Sequence, residues 1–295
     1  MTDSRLVRVA PYLFIFVWSS GYVAAKYGLP YAEPLTFLCL RYTGVIAMMI
    51  VLAFWSGAPW PSSPRQAFHI AASGILIQAG YLGGVWCAIK LGMPAGLAAL
   101  IVNTQPILTA ILSRAVGERV SGRQWAGLML GLLGVTLVLS NKISTAGLSW
   151  AAVSLTLFAL VSMTAGVLYQ KRFCPRFDIR TGQVLQFVAS LAVTAPCALL
   201  FENHTIEWAP EFFIALGWSI FVLSGIGISL LFVMIRHGAA TKVTGYLYLV
   251  PPVTAIMAWF MFGERFNALA LCGMAVTVLG VALVVRRTAP STAPA

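Results

Sequence analysis

One arginine, Arg41, stands inside a long apolar run, about two helical turns below the outer end of that run. A guanidinium at that depth is expensive to bury, and two explanations fit it. It grips a substrate carboxylate through two parallel N–H bonds, or its long side chain reaches back to the outer interface, towards Glu33. The acids inform by their positions too: Asp3, Glu33, Glu118, Asp178, Glu202, Glu207, Glu211 and Glu264 all fall in tails, loops or span ends. A carrier exchanging protons for cationic drugs needs a carboxylate inside the membrane, so that class is disfavoured, and neutral, zwitterionic, aromatic or anionic solutes remain. Neutralising any one acid is expected to leave transport intact unless folding suffers; Glu118 and Glu264, at helix starts, are read as structural. His69, His204 and His237 lie far apart, and Cys39, Cys87, Cys174, Cys197 and Cys272 have no metal or redox spacing. Neither a metal site nor a cofactor site is expected. An intramembrane enzyme would need a Ser-His pair, paired carboxylates or deep histidines, so the chain reads as a non-enzyme.

Amides and aromatics at helical spacing supply the other candidates for substrate contact. Trp18 and Tyr22, Gln78 and Tyr81, and Gln183 and Gln186 are pairs three or four residues apart, each sharing a helix face. Asn103, Thr104 and Gln105 precede Pro106, and Thr244, Tyr246 and Tyr248 precede Pro251 and Pro252. For each amide the alternative is an interhelical hydrogen bond, and aromatics near span ends form interfacial belts, which sets Trp55 and Trp60 aside. A proline inside a helix frees the carbonyl four residues back, here those of Val102, Leu247 and Tyr248. Pro106, Pro251 and Pro252 are therefore read as kinks that shape opposite gates, with a static packing kink as the alternative.

The elements that position these residues follow from composition. With 60% apolar and 9% charged residues, the chain lacks the roughly 25% charge of a soluble domain. Runs of about 20 apolar residues mark ten membrane helices, at roughly 10–29, 34–55, 67–88, 93–114, 122–140, 148–170, 180–201, 212–235, 241–262 and 267–286. The expected fold is an all-α integral membrane protein. The first run follows Arg5 and Arg8 and ends near Val23-Ala24-Ala25, as a signal peptide would. Cleavage there would delete one member of the repeat below, so it is read as a retained span. The formal charge of +11 sits in short breaks between spans, which points to a bilayer rather than to nucleic acid. With both termini cytoplasmic, Lys26, Lys90, Lys142 and Arg265 fall outside and Arg41 within a span; the other fourteen of nineteen basic residues fall inside.

The chain also repeats itself. PILTAILSRAVGER at Pro106–Arg119 and PVTAIMAWFMFGER at Pro252–Arg265 share four of fourteen positions, 146 residues apart. The same offset aligns Gly127 with Gly273 and Gly134 with Gly280; an offset of 145 aligns Gly21 and Lys26 with Gly166 and Lys171, and Arg41 with Gln186. Five spans per half is an odd number, so the second half enters the membrane upside down, as in inverted-repeat transporters. The expected organisation is a tail at 1–9, a first repeat at 10–140, a second at 148–287 and a tail at 288–295.

A Pro-rich fourth span leading to Gly-Glu-Arg, then a Gly-spaced fifth, twice over in ten spans, resembles the drug/metabolite transporter superfamily, EamA-type branch. The resemblance implies a multi-pass carrier of the bacterial inner membrane, with two five-helix halves around a central cavity and spans five and ten at the packing periphery. It implies a secondary transporter of a small solute, most often an exporter of amino acids or related metabolites. Import of a vitamin or aromatic metabolite such as riboflavin is the alternative, and an intramembrane enzyme the remote one. No Walker motif is present to bind a nucleotide. The partners implied are the solute and the lipid bilayer, with a monomer sufficient and the oligomeric state open.

The charge bias generates a direct prediction. Reporter fusions at Lys142 are expected to give an external signal and those at Arg176 a cytoplasmic one; a cytoplasmic signal at Lys142 contradicts the inverted repeat.

Overall fold

The computed structural model describes residues 4–93, 98, 101–112, 120–139, 149–237, 243, 245–250, 252–253, 256–257, 260 and 268–285. Among them the fold is all-helical, and the only bridge outside helices pairs Ala32 with Ile206. The principal helices are α1 (Ser4–Gly28), α2 (Pro34–Trp55), α3 (Pro64–Lys90), α4 (Gln105–Leu112), α5 (Gly122–Leu139), α6 (Trp150–Phe173) and α7 (Ile179–Phe201). The eighth, α8, runs through Pro210–Trp218, Ser219–Ile228 and Ser229–His237, and α9 is Ala268–Val285. Five of these, α2, α3, α6, α7 and α8, are long and apolar enough to cross a membrane. The Gly-Glu-Arg motifs, Pro251 and Thr244 lie outside the described residues.

Local chemistry fixes the starts of these helices. Pro34, Pro64 and Pro210 open α2, α3 and α8 in the first turn, where no backbone N–H is needed. Ser63 caps α3 by accepting from Gln66 N at 3.2 Å, Ser149 caps α6 by accepting from Ala152 N at 3.1 Å, and Asp178 caps α7.

Two helices depart from α geometry in their middles. In α3 the stretch Ile75–Leu82 is π-helical, and in α8 so is Ser219–Ile228. The stretches begin 144 residues apart, at 75 and 219, and end 146 apart, at 82 and 228. π-wound stretches inside α-helices are frequent at functional sites. The α3 stretch is steadied from α6, where Ser162 Oγ donates to Leu76 O at 2.9 Å.

In span four the structure corrects the expected kink. The helix ends at Val102, Asn103 and Thr104 form a turn, and α4 restarts at Gln105. Pro106 therefore sits at the second position of a new helix, where its missing N–H costs nothing. The element is broken rather than bent. The chain ahead of Pro252 is likewise irregular, a 3₁₀ turn over Tyr246–Leu249.

α5 and α9 cross at glycine. A Cβ at Gly127 would lie 2.6 Å from Gly280 O, and one at Gly134 would lie 2.7 Å from Gly273 O. Residue numbers rise along one helix as they fall along the other, so the pair is antiparallel. An offset of 146 exchanges the two contacts, since Gly127 maps to Gly273 and Gly134 to Gly280. Small residues let helix backbones touch in this way, the main source of association where lipid offers no hydrophobic drive. Two larger apolar clusters and several smaller ones pack the other helices, the larger including Phe14, Tyr81, Met163 and Leu231 in one and Tyr42, Val45, Phe187 and Ile228 in the other. Phe54, Trp55, Trp150 and Leu200 stay exposed, as suits side chains facing lipid.

Replacing Gly134 by leucine is expected to force α5 and α9 apart and lower stability by about 1–3 kcal/mol, the usual cost of overpacking. Gly217→Leu is expected to be neutral, because a Cβ at that position would meet nothing within 4 Å. Thermal unfolding of the purified variants in detergent checks this, and equal melting of both contradicts it.

Candidate functional site

The site is assembled around Arg41. On α2 it is 5% exposed. Its Nε donates to Ser224 Oγ at 2.9 Å, and Ser224 Oγ donates in turn to Ser219 O at 2.9 Å. That second bond spans five residues because the helix is π-wound there. Arg41 therefore turns inward instead of reaching the interface. Glu33, the expected partner of a snorkelling side chain, takes Lys90 Nζ at 2.8 Å instead and accepts from Asn203 N at 3.3 Å. The hydrogen bond and charge of Lys90 hold the Glu33 carboxyl below its usual range. No carboxylate of the described residues pairs with Arg41. An arginine deep in a helical span costs about 2.5–3.5 kcal/mol to insert, and Ser224 offsets that cost at Nε alone.

Arg41 lines a cavity of about 100 Å³ whose walls include Trp18, Tyr81, Trp86, Ser219 and Leu223. Ring packing fixes the two tryptophans: Trp18 lies 5.0 Å from Phe14 and Trp86 lies 5.3 Å from Phe37, centroid to centroid. Leu29, Trp86 and Ile89 also line a second cavity of about 390 Å³, with Tyr31, Glu33, Lys90 and Glu207, so the two spaces share a wall. This vestibule is roofed where Ala32 pairs with Ile206 and where Glu207 N donates to Tyr31 O at 2.8 Å.

A smaller cavity of about 100 Å³ is lined by Gln170, Lys171, Cys174, Pro175, Phe177, Phe232 and Ile235. Five of these lie 145 or 146 residues beyond the vestibule residues Leu29, Pro30, Ala32, Trp86 and Ile89. Nearby, Gln186 Nε2 donates to Ser73 Oγ at 2.8 Å and to Gln170 Oε1 at 3.3 Å, while Gln186 Oε1 is buried without a partner. Gln186 corresponds to Arg41 and Ser73 to Ser219. A guanidinium thus ties α2 to α8, and an amide ties α7 to α3.

The structure brings Trp18, Arg41 and Tyr81 to one cavity and leaves the other candidates elsewhere. Gln78 is fully buried and neither amide atom has a partner. Asn103 and Thr104 form the break in span four, where Thr104 Oγ1 donates to Ile101 O at 2.7 Å, and Gln105 Nε2 beside them is buried and unpaired. Tyr248 seats its ring on Gly131, within the cluster that joins α5 and α9, with its hydroxyl unpaired. Tyr246 packs on the edge of that cluster. Gln183 donates to Ser229 Oγ at 2.9 Å. Tyr22 belongs to α1, but its side chain lies outside the described residues, as do Thr244 and Pro251.

Sequence reasoning missed Trp86, Ser219, Ser224 and Glu202. Trp86 lies eight residues past Gln78, two turns along one face, and that spacing was a usable signal. Glu202 reads as a loop acid, yet it is 8% exposed. Its Oε1 accepts from Leu35 N at 2.8 Å, and its Oε2 accepts from Thr36 N at 2.7 Å and Thr36 Oγ1 at 2.8 Å. It is the capping anion that α2, opening with proline, lacks in its own sequence.

Glu202→Ala is expected to destabilise the protein by about 1.5–3 kcal/mol, the range for hydrogen bonds to a charged group, whereas Glu211→Ala leaves melting unchanged. Thermal unfolding of both variants checks this; equal melting contradicts the clasp.

Compared with known proteins, residues 10–140 and 150–286 each match the EamA-like transporter family. The inner membrane transporter YedA of Escherichia coli (strain K12) is 25% identical over 275 residues, 93% of this chain and 89% of its own length. A probable amino-acid metabolite efflux pump of the same organism is 25% identical over 291 residues, 94% of each chain. A crystal structure at 20% identity superposes with a TM-score of 0.82 over 94% of this chain and 96% of its own.

Proposed function

The chain belongs to the EamA-like transporter family, and on that premise we propose that it exports a small, amino-acid-related metabolite across the bacterial inner membrane, with the Arg41 cavity as its transport site. The observation that carries this reading is a buried guanidinium, unpaired by any acid among the described residues, in a cavity that shares walls with a larger vestibule. Substrate pockets place a few polar groups among apolar walls in this way. The relatives named as a metabolite efflux pump and as inner membrane transporters support the substrate class and the compartment.

The arrangement proposed is ten spans in two inverted five-helix repeats, at 10–140 and 148–287. Two features support it: the π-helical stretches in α3 and α8 and the glycine contacts that exchange under an offset of 146. With both termini cytoplasmic, the Glu33–Lys90 vestibule opens outwards and the Lys171 cavity inwards. The outer space is the larger of two equivalent ones, which corresponds to an outward-biased state of a carrier that rocks one half against the other. No carboxylate among the described residues lines the Arg41 cavity, so cation exchange through this site lacks a counter-charge among them.

The test is solute flux in liposomes containing the purified chain. Counterflow of amino-acid-related metabolites without chemical change is expected, with Arg41→Gln reducing it by about tenfold or more, the loss of one charge-assisted pair. Unchanged flux in a folded Arg41→Gln protein contradicts the site, and chemical conversion of the solute contradicts the carrier.

A further inference from the structure

Resting on the Arg41 cavity as the transport site, we infer that the preferred substrate is a monocarboxylate with an apolar or aromatic body and no ammonium group, so that deaminated acids bind in preference to the parent amino acids. The carboxylate end follows from the free edge of Arg41. Ser224 engages Nε alone, leaving the two Nη groups as a planar fork of the geometry that takes both oxygens of a carboxylate. Arginine stays protonated throughout the physiological range.

The missing ammonium follows from what surrounds that fork. Beyond Arg41, the polar side chains in the wall, among the described residues, are those of Trp18, Tyr81, Trp86 and Ser219, none of them an acid; the rest are Gly21, Leu29, Leu82, Val85, Ile89 and Leu223. An ammonium carries donors that need oxygen acceptors or a counter-charge when removed from water. The two acids at the head of α2 are already engaged, Glu33 by Lys90 and Glu202 by Leu35 and Thr36. The faces of Trp18, Tyr81 and Trp86 attract cations, but in so small a cavity the Arg41 charge opposes a second positive group. An apolar acyl or aryl body meets no such conflict, and the walls that repel an ammonium suit it. Gln186, occupying the equivalent corner of the other half, offers a neutral amide, so the charge-selective corner lies on one side only.

Four probes with one carbon skeleton decide the matter: 3-phenylpropanoate, L-phenylalanine, phenethylamine and 3-phenylpropanamide. Calorimetric binding to the purified full chain in detergent is expected to rank 3-phenylpropanoate first, by about tenfold or more over L-phenylalanine and phenethylamine. In Arg41→Gln, the acid is expected to fall to the level of the amide, and circular dichroism and thermal unfolding matching the parent report a folded protein. Glutamine is the residue of the equivalent corner and is accommodated there. L-Phenylalanine binding as tightly as the acid, or acid binding that survives Arg41→Gln, overturns the inference, and the four-probe ranking on the unmodified chain decides it even where the variant does not fold. Flux in liposomes is measured separately: binding in the expected order without flux sinks the carrier reading and leaves the selectivity standing.

Discussion

A single guanidinium buried among apolar helices sets the conditions for the rest of this molecule. Arg41 is held by Ser224, and Ser224 is oriented by a carbonyl five residues back. That geometry exists only because α8 is π-wound over Ser219–Ile228. The wide turn of α8 therefore works as an anchor for the charge. On the facing helix, the second π-wound stretch carries Tyr81 to the same cavity. Aromatic neighbours fix the remaining walls, with Phe14 against Trp18 and Phe37 against Trp86. Removing charge from water costs free energy. Here the cost is borne by a scaffold that leaves part of the guanidinium open to a ligand.

The same frame explains how the halves relate. Gly127 meets Gly280, Gly134 meets Gly273, and these contacts map onto one another, so neither helix can lose its small residues without affecting both crossings. Positions 41 and 186 stand 145 residues apart, yet their chemistry differs: Arg41 donates to Ser224 and Gln186 donates to Ser73, serines that the offset does not pair. Cavities of unequal size accompany them, the larger roofed by the Tyr31 and Glu207 loops.

Much of the helical layout was legible because its boundaries are written in proline and its interiors in long apolar runs. Pro34, Pro64 and Pro210 open helices in the structure where sequence shows breaks. Gly127 and Gly134, which the sequence aligns with Gly273 and Gly280, are where α5 and α9 touch. Less was legible at the site. Nothing in the residue pattern announces a π turn, so the positions of Ser219 and Ser224 could not be foreseen, and with them the inward direction of Arg41. Asn103 and Thr104 turn out to break span four ahead of Pro106, a choice set by backbone bonds such as Thr104 N to Ile101 O. Glu202 caps a helix 166 residues away from it along the chain. Contacts at that separation have no local signature, and the expectation that every acid is dispensable unless folding suffers meets its exception there.

The central claim is that the Arg41 cavity is where solute sits, reached from the Glu33–Lys90 vestibule. Gly21 offers a direct probe, because it lines that cavity and a Cβ there would lie 3.5 Å from the nearest atoms of Leu223, an ordinary contact. In a background free of the five native cysteines, Gly21→Cys is labelled with an impermeant thiol reagent from each side of the membrane, with and without 3-phenylpropanoate. The account predicts labelling from the Glu33 side, protection by the acid, and loss of protection but not of labelling when Arg41 is changed to glutamine. Labelling from the opposite side only, or labelling from the Glu33 side that the acid never alters, would contradict it.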